Sequence, residues 1–356
     1  MRRFSVLVFI FVLGLGLFVG CLRGPIALRV MRVALEANMA ADPIGELPDG
    51  LHVTLCGAGG PLADTERSGP CLAIVAGRSL YLVDAGSGAA RNLIKVGYQP
   101  FQVEGVFLTH FHSDHIDGLG ELGMLRWVAR SHSQPLPLYG PEGIDEISEG
   151  LNQAYQFDAA YRTAHHGSKT APASGAGFSS HAFSEPADGL ETVVFEKDGL
   201  RVTMFRVDHP PIVPAVGYRF EYGGRTVLIS GDTKKSDNLE LFAKGVDLLV
   251  HEALSPELMA VIQAAAETAG DASLAKIAAD VPDYHASPID AAEIAESAGV
   301  GHLLYYHVVP PMPLPGLSSV FMDGVDDAYG GPITLGRDGT SISLPTGSDE
   351  IRVLKK

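Results

Sequence analysis

The stretch Thr109-His110-Phe111-His112-Ser113-Asp114-His115-Ile116-Asp117-Gly118 limits what this chain can fold into more than any other. Its three imidazoles and two carboxylates fall directly behind the apolar run Val106-Phe107-Leu108, which reads as a buried strand. At an extended strand end His110 and His112 project to the same side, and Asp114 continues that face. The turn that must follow brings His115 round beside them. Neutral imidazole nitrogen and carboxylate oxygen are the donors that a borderline cation such as zinc prefers. A His-rich surface turn is the plain alternative. Unpaired His and Asp gathered behind a core strand would, however, be costly to desolvate without a cation.

Further donors are dropped at the ends of later apolar strands. The alternating run 200–207 delivers Asp208-His209, and 226–229 delivers Ser230-Gly231-Asp232-Thr233. The run 248–250 ends in His251-Glu252, and 303–306 ends in His307. Sites in α/β sheets gather at such ends. A single His there is more often structural, but together these residues supply what two cations need beyond the first motif. His285 stands just ahead of Ser287-Pro288-Ile289-Asp290, an N-cap, a Pro at the first helical position and an acid behind it. The positive end of the helix 289–298 lowers the His285 pKa unless a carboxylate such as Glu252 compensates. There the imidazole can donate a hydrogen bond to an oxyanion.

The remaining pattern is that of a mixed α/β domain. Runs 51–56, 71–76 and 79–84 read as strands around Gly/Pro loops, with Asp84-Ala-Gly-Ser-Gly88 as structural support near the site. A helix over 116–129, a strand over 136–139 and a helix over 144–157 follow. Residues 161–187 read as a loose region containing the exposed pair His165-His166, and 333–335 and 341–344 as short edge strands. Cys56 and Cys71 fall on neighbouring strands, which leaves a disulfide and two buried thiols equally open.

Of the 356 residues, 46% are hydrophobic and 19% charged, which suits a chain with a substantial core. The formal net charge of −16 disfavours nonspecific attraction to nucleic acid. At the start, Met1-Arg2-Arg3 precedes an uncharged run over 4–22, and a helix of that length rises about 28 Å, close to a bilayer's hydrocarbon thickness. The expected organisation is therefore a membrane anchor or signal segment over 1–24, a linker helix over 25–50 and a catalytic domain over 51–356. Phe18-Val19-Gly20-Cys21 loosely resembles a lipoprotein cleavage box, so anchor and export signal both stay open. Either way the catalytic domain is expected on the periplasmic or extracytoplasmic side.

The H-x-H-x-D-H pattern in its strand context resembles the signature of the metallo-β-lactamase superfamily, and the likeness runs over 51–344. The resemblance implies a four-layer αββα sandwich. It implies two zinc ions, with His110, His112 and His209 on one, Asp114, His115 and His307 on the other, and Asp232 bridging; manganese or iron fits the same donors. Redox members replace the second motif histidine by Glu, whereas His112 is kept here, which points to hydrolysis. The order Asp208-His209, Gly217-Tyr218-Arg219-Phe220, Gly231-Asp232-Thr233, His251-Glu252-Ala253, His285-Ala286-Ser287 and His307 is similar to ribonuclease Z and arylsulfatase-type enzymes. By that likeness a metal-bridging hydroxide cleaves a sulfate or phosphate ester, Asp114 orients the nucleophile, and His285 and His251 deliver protons.

Within the branch, the segment 145–191 carries Arg162 and Lys169 against seven carboxylates, where ribonuclease Z has a basic arm. With the hydrophobic start, this makes an arylsulfatase-like hydrolase of a small-molecule ester the expectation, with a membrane as partner and nucleic acid disfavoured. The alternatives are a ribonuclease Z-like tRNA 3′ endonuclease, a lactonase or β-lactamase-type hydrolase, and a tethered metal-binding protein without turnover.

Overall fold

Apolar side chains recur at every second position along short runs such as Leu51, Val53 and Leu55, so each strand has one face to bury. In the computed structural model, which describes residues 24–354, those faces meet between two sheets. The first half contributes β1 (Gly50–Gly57), β2 (Cys71–Ala76), β3 (Ser79–Val83), β4 (Val103–Phe107), β5 (Leu136–Pro141) and β6 (Phe178–Phe183). The second contributes β7 (Glu191–Lys197), β8 (Leu200–Arg206), β9 (Val216–Tyr222), β10 (Arg225–Ile229), β11 (Leu248–Leu254) and β12 (Leu303–Val309). Three short strands end the chain: β13 (Ile333–Leu335), β14 (Ser341–Pro345) and β15 (Arg352–Leu354). One sheet runs β15-β14-β1-β2-β3-β4-β5-β6 and the other β13-β12-β11-β10-β9-β8-β7.

The helices are α1 (24–40), α2 (Ala89–Lys95), α3 (Ser113–Ile116), α4 (Leu119–Ala129), α5 (Ile144–His166) and α6 (Asp237–Ala243). They continue with α7 (Pro256–Ala269), α8 (Ala272–Asp280), α9 (Pro288–Ala298), α10 (Leu317–Phe321) and α11 (Val325–Ala328). Helix α2 packs on β1, and α4 and α5 on β5. On the far side Leu239 of α6, Ile294 of α9, Phe321 of α10 and Val325 of α11 share a core with Leu228, Leu249 and Leu303. The result is the expected four-layer αββα sandwich.

Between the sheets Phe107 is the hub. Its ring lies 5.0 Å from that of Tyr139 and 5.3–5.9 Å from those of Phe195, Tyr218 and Phe220. Burying such a ring contributes about 1.5–3 kcal/mol. Because Phe107 is the last residue of β4, this packing also fixes where the histidine motif leaves the sheet. The Tyr218 hydroxyl donates to the Leu108 carbonyl at 2.6 Å and pins the next residue.

The chain divides into units spanning 1–46 and 47–356. In the first, α1 occupies the expected linker helix and is exposed along its length, with Arg32 paired to Glu36 at 2.7 Å. The expected membrane anchor or signal over 1–24 lies, but for Gly24, outside the described residues. Among those described, no helix is long and apolar enough to cross a membrane, so the expected membrane helix has no support in the fold.

Three other expectations change. The helix placed over 144–157 continues to His166, since neither Gly nor Pro stands between Phe157 and Gly167, which caps it with φ 80°. The loose region 161–187 contains β6, which extends the first sheet beside β5. The helix placed over 116–129 is broken into α3 and α4 at Asp117-Gly118. At Gly118 a Cβ would stand 2.2 Å from the Gly86 carbonyl oxygen, so the close approach there requires glycine. Cys56 and Cys71, left open above, are joined by a disulfide.

Candidate metal centre

Strand ends position the site. Past β4, the Asp84 carboxylate accepts hydrogen bonds from the Thr109 amide and the Thr109 hydroxyl, both at 2.9 Å, and so fixes the motif's first residue. The same carboxylate lies 2.8 Å from His115 Nδ1, which leaves Nε2 for the site. Asp84 has φ 56°, a strained setting for a non-glycine residue that persists only where the surroundings over-determine it. His307 also has positive φ, 45°, and sits in a register shift: Glu252 opposes Tyr306 while Ala253 opposes Val308. His307 is thus the extra residue of a bulge in β12, and the bulge re-aims its side chain.

The structure brings together all seven residues named from the sequence as metal donors. Donor atoms of His110, His112, His209 and Asp232 lie within 4.8 Å of one another, and so do those of Asp114, His115 and His307. A third, overlapping group contains Asp232, His285 and His307. Asp232 Oδ2 is central, 3.3 Å from both His115 Nε2 and His307 Nε2, 3.7 Å from His110 Nε2 and 3.9 Å from His209 Nε2. His307 Nε2 is also 3.3 Å from Asp114 Oδ2.

These residues fit a cation pair. Most of these spacings are too long for good hydrogen bonds. They suit donors around an ion: two atoms about 2.0–2.1 Å from a tetrahedral zinc stand about 3.3 Å apart. His115 Nε2, His209 Nε2 and Asp232 Oδ1 are buried with no hydrogen-bond partner among the described residues, a costly state unless something else takes their lone pairs.

Electrostatics agree. Burial pushes the His110 pKa well down, with neighbouring His115 adding to it, so the ring is held neutral as a ligand must be. Burial acts to raise the Asp232 pKa, but His307, His115 and His110 together hold it well below the usual carboxylate range. His115 goes the other way: burial is outweighed by Asp232 and Asp84, which raise its pKa well above normal, so a cation bound there would have to displace its proton.

Beside the cluster, His285 Nδ1 lies 2.8 Å from Glu252 Oε1, and that oxygen also accepts from the Thr233 amide at 2.9 Å. Burial would lower the His285 pKa; Glu252 reverses this and lifts it to about 9. His251 is placed differently. It is fully buried, its Nδ1 is 2.7 Å from the Glu252 carbonyl oxygen, and it belongs to none of the three donor groups. His165 and His166 are exposed at the end of α5 and also lie outside those groups.

Two residues that act on ligand rings were not singled out from the sequence. Asp84 orients His115, and its position at a strand end inside a Gly-rich turn was the available signal. Tyr284 orients His209 through its backbone carbonyl, 2.8 Å from Nδ1, for which no side-chain pattern exists.

A family model described as the metallo-beta-lactamase superfamily matches residues 64–270. A protein named ribonuclease Z from Mycobacterium bovis (strain BCG / Pasteur 1173P2) is 33% identical over 81% of this chain and 96% of its own length. Another of that name, from Mycolicibacterium gilvum (strain PYR-GCK), is 36% identical over 74% of this chain and 85% of its own. Among solved structures, the short form of human tRNase Z shares the fold at a TM-score of 0.58 and 20% identity, covering 83% of this chain and 99% of that one.

These relatives correct two expectations. Ribonucleases aligned over nearly their whole length overturn the reading of nucleic acid as a disfavoured partner and of the membrane as a favoured one. The net charge misled because it sums the whole chain and counts carboxylates, Asp114 and Asp232 among them, whose charge a bound cation would offset. They also overturn the membrane-anchored or exported location, which rested on residues outside those described. Neither does any relative named here support the arylsulfatase-like assignment. By the family match and these relatives, the chain belongs to the metallo-beta-lactamase superfamily, in its ribonuclease Z-like branch.

Proposed function

We propose that this chain is a metal-dependent ribonuclease that hydrolyses a phosphodiester bond of precursor tRNA, with two zinc ions as cofactor. The observation that carries the reading is the gathering of seven donors, Asp232 central among them, beside a Glu252–His285 pair. His110, His112 and His209 would hold one ion, Asp114, His115 and His307 the second, and Asp232 both. Bound there, such ions lower the pKa of water and offset charge on a phosphate.

The chain's own groups account for the rest. Asp114 accepts a hydrogen bond from the attacking water and orients it toward phosphorus. His285, held protonated by Glu252, donates its proton to the oxygen that departs as the P–O bond breaks. Asp84 and the Tyr284 carbonyl hold two ligand rings in the tautomer whose Nε2 faces the site.

The test is cleavage of precursor tRNA by the full chain, with zinc analysis and an Asp232→Ala control. Zinc-dependent cleavage that is lost in the control is expected. Turnover of aryl sulfates with no cleavage of RNA would overturn the proposal.

A further inference from the structure

Resting on the ribonuclease reading, we infer that the Tyr284 ring is a base-stacking subsite for the nucleotide next to the scissile phosphate. Tyr284 follows the short 3-10 turn Val281–Asp283 that joins α8 to the residues ahead of α9. Its carbonyl is spent on His209, which leaves the ring free for another task. That ring stands edge-on to His209, centroids 5.4 Å apart at 72°, and leans on His285 at 4.9 Å and 45°. It is partly exposed, unlike the fully buried His115 and His307. Its phenol lies within the field of the Asp280, Asp232 and Asp114 carboxylates. A flat, accessible aromatic surface therefore borders both the metal donors and the proton donor.

Charge explains why stacking is needed there. Lys234 and Lys235, directly after Asp232-Thr233, are both engaged: Lys234 lies 3.4 Å from an Asp208 oxygen, and Lys235 pairs with Glu293. A rim whose cations are already answered by carboxylates grips the RNA backbone weakly by counterion release. Stacking does not depend on that term, since every base offers a π-face.

The experiment uses the full chain and an RNA hairpin carrying 2-aminopurine on one or the other side of the cleaved bond. On metal-free chain, where no cleavage intervenes, the wild type is expected to quench the probe at one of the two positions. Tyr284→Leu is expected to lose that quenching, and with zinc restored to raise KM about tenfold while kcat changes less than about twofold. Tyr284→Phe and Tyr284→Trp should behave as the wild type. Should Tyr284→Leu fail to fold, wild-type chain on RNA made abasic at the quenched position gives the same reading, again with KM about tenfold higher. Zinc-dependent cleavage with no quenching at either position, or KM unchanged in both Tyr284→Leu and the abasic RNA, overturns the subsite and leaves the ribonuclease reading standing. No cleavage of any RNA by the zinc-loaded wild type overturns both.

Discussion

Glu252 Oε1 lies 2.8 Å from His285 Nδ1 and accepts the Thr233 amide at 2.9 Å, so one buried carboxylate ties the proton donor to the turn that carries Asp232. Replacing it with the isosteric Gln keeps an acceptor and removes the charge. The His285 pKa, lifted to about 9 by Glu252 against burial, then falls back to around its ordinary value. For Glu252→Gln the kcat loss should be roughly 30-fold near pH 8 and under about twofold near pH 6, from the change in protonated fraction. A pH–rate profile checks this; parallel profiles for the two proteins would remove His285 from proton donation.

Asp84 sets a second dependence. Its carboxylate holds His115 Nδ1 and the start of the histidine motif together. Asp84→Asn should leave the core intact and weaken zinc affinity by about 10–100-fold, the usual cost of losing a carboxylate behind a ligand imidazole. Competition with a chromophoric chelator reads the affinity, and unchanged binding would mean that the packing alone orients His115.

How much of this was readable in advance follows from the residues. The donors stood out because each ends an apolar run, and strands such as β11 and β12 that carry them are buried on both faces and so read as nearly continuous apolar stretches. β6 and β7 did not stand out. Phe178-Ser-Ser-His-Ala-Phe183 and Glu191-Thr-Val-Val-Phe-Glu-Lys197 are polar edge strands whose pairing partners lie far off or after them in the chain. The bulge at His307 depends on how β12 registers with β11, which no local pattern encodes. The Cys56–Cys71 bridge turns on oxidation as well as proximity, and two thiols on paired strands read alike either way. The charge argument failed because a sum over the chain says little about one rim.

Away from the metals, Glu104 of β4 reaches across to the other sheet, 2.9 Å from Lys197 Nζ, and also accepts from Ser79 Oγ at 2.7 Å. Burial acts to raise its pKa, but Lys197, Ser79 and Tyr81 together bring it below the usual value of 4.5. A carboxyl whose folded pKa is depressed stabilises the fold above its unfolded pKa and loses that contribution as pH falls through the folded value. Glu104→Gln should therefore destabilise by about 0.2–1 kcal/mol near neutral pH, the range of a solvent-screened pair, with the difference closing below about pH 4. Urea titrations of both proteins across pH measure it, and a gap that persists in acid would refute the charge origin.

Two glycines make opposite predictions. At Gly86 a Cβ would stand 2.2 Å from the Asp114 carbonyl oxygen and 2.6 Å from the Gly69 carbonyl carbon, both backbone atoms that cannot swing aside. Gly86→Ala should cost about 1–3 kcal/mol by overpacking. It should also displace α3, which carries Asp114 and His115, so that zinc affinity falls together with stability. Gly150 lies inside α5 with nothing within 4 Å of a Cβ, and there Ala removes only the conformational entropy that glycine carries in the unfolded chain. Gly150→Ala should stabilise by about 0.5–1 kcal/mol and leave zinc binding unchanged. Thermal melts and chelator competition read both: a Gly86→Ala variant that melts with the wild type would refute the close approach of Gly86 to Asp114 and Gly69, and a Gly150→Ala variant that is not stabilised would refute the open setting of Gly150.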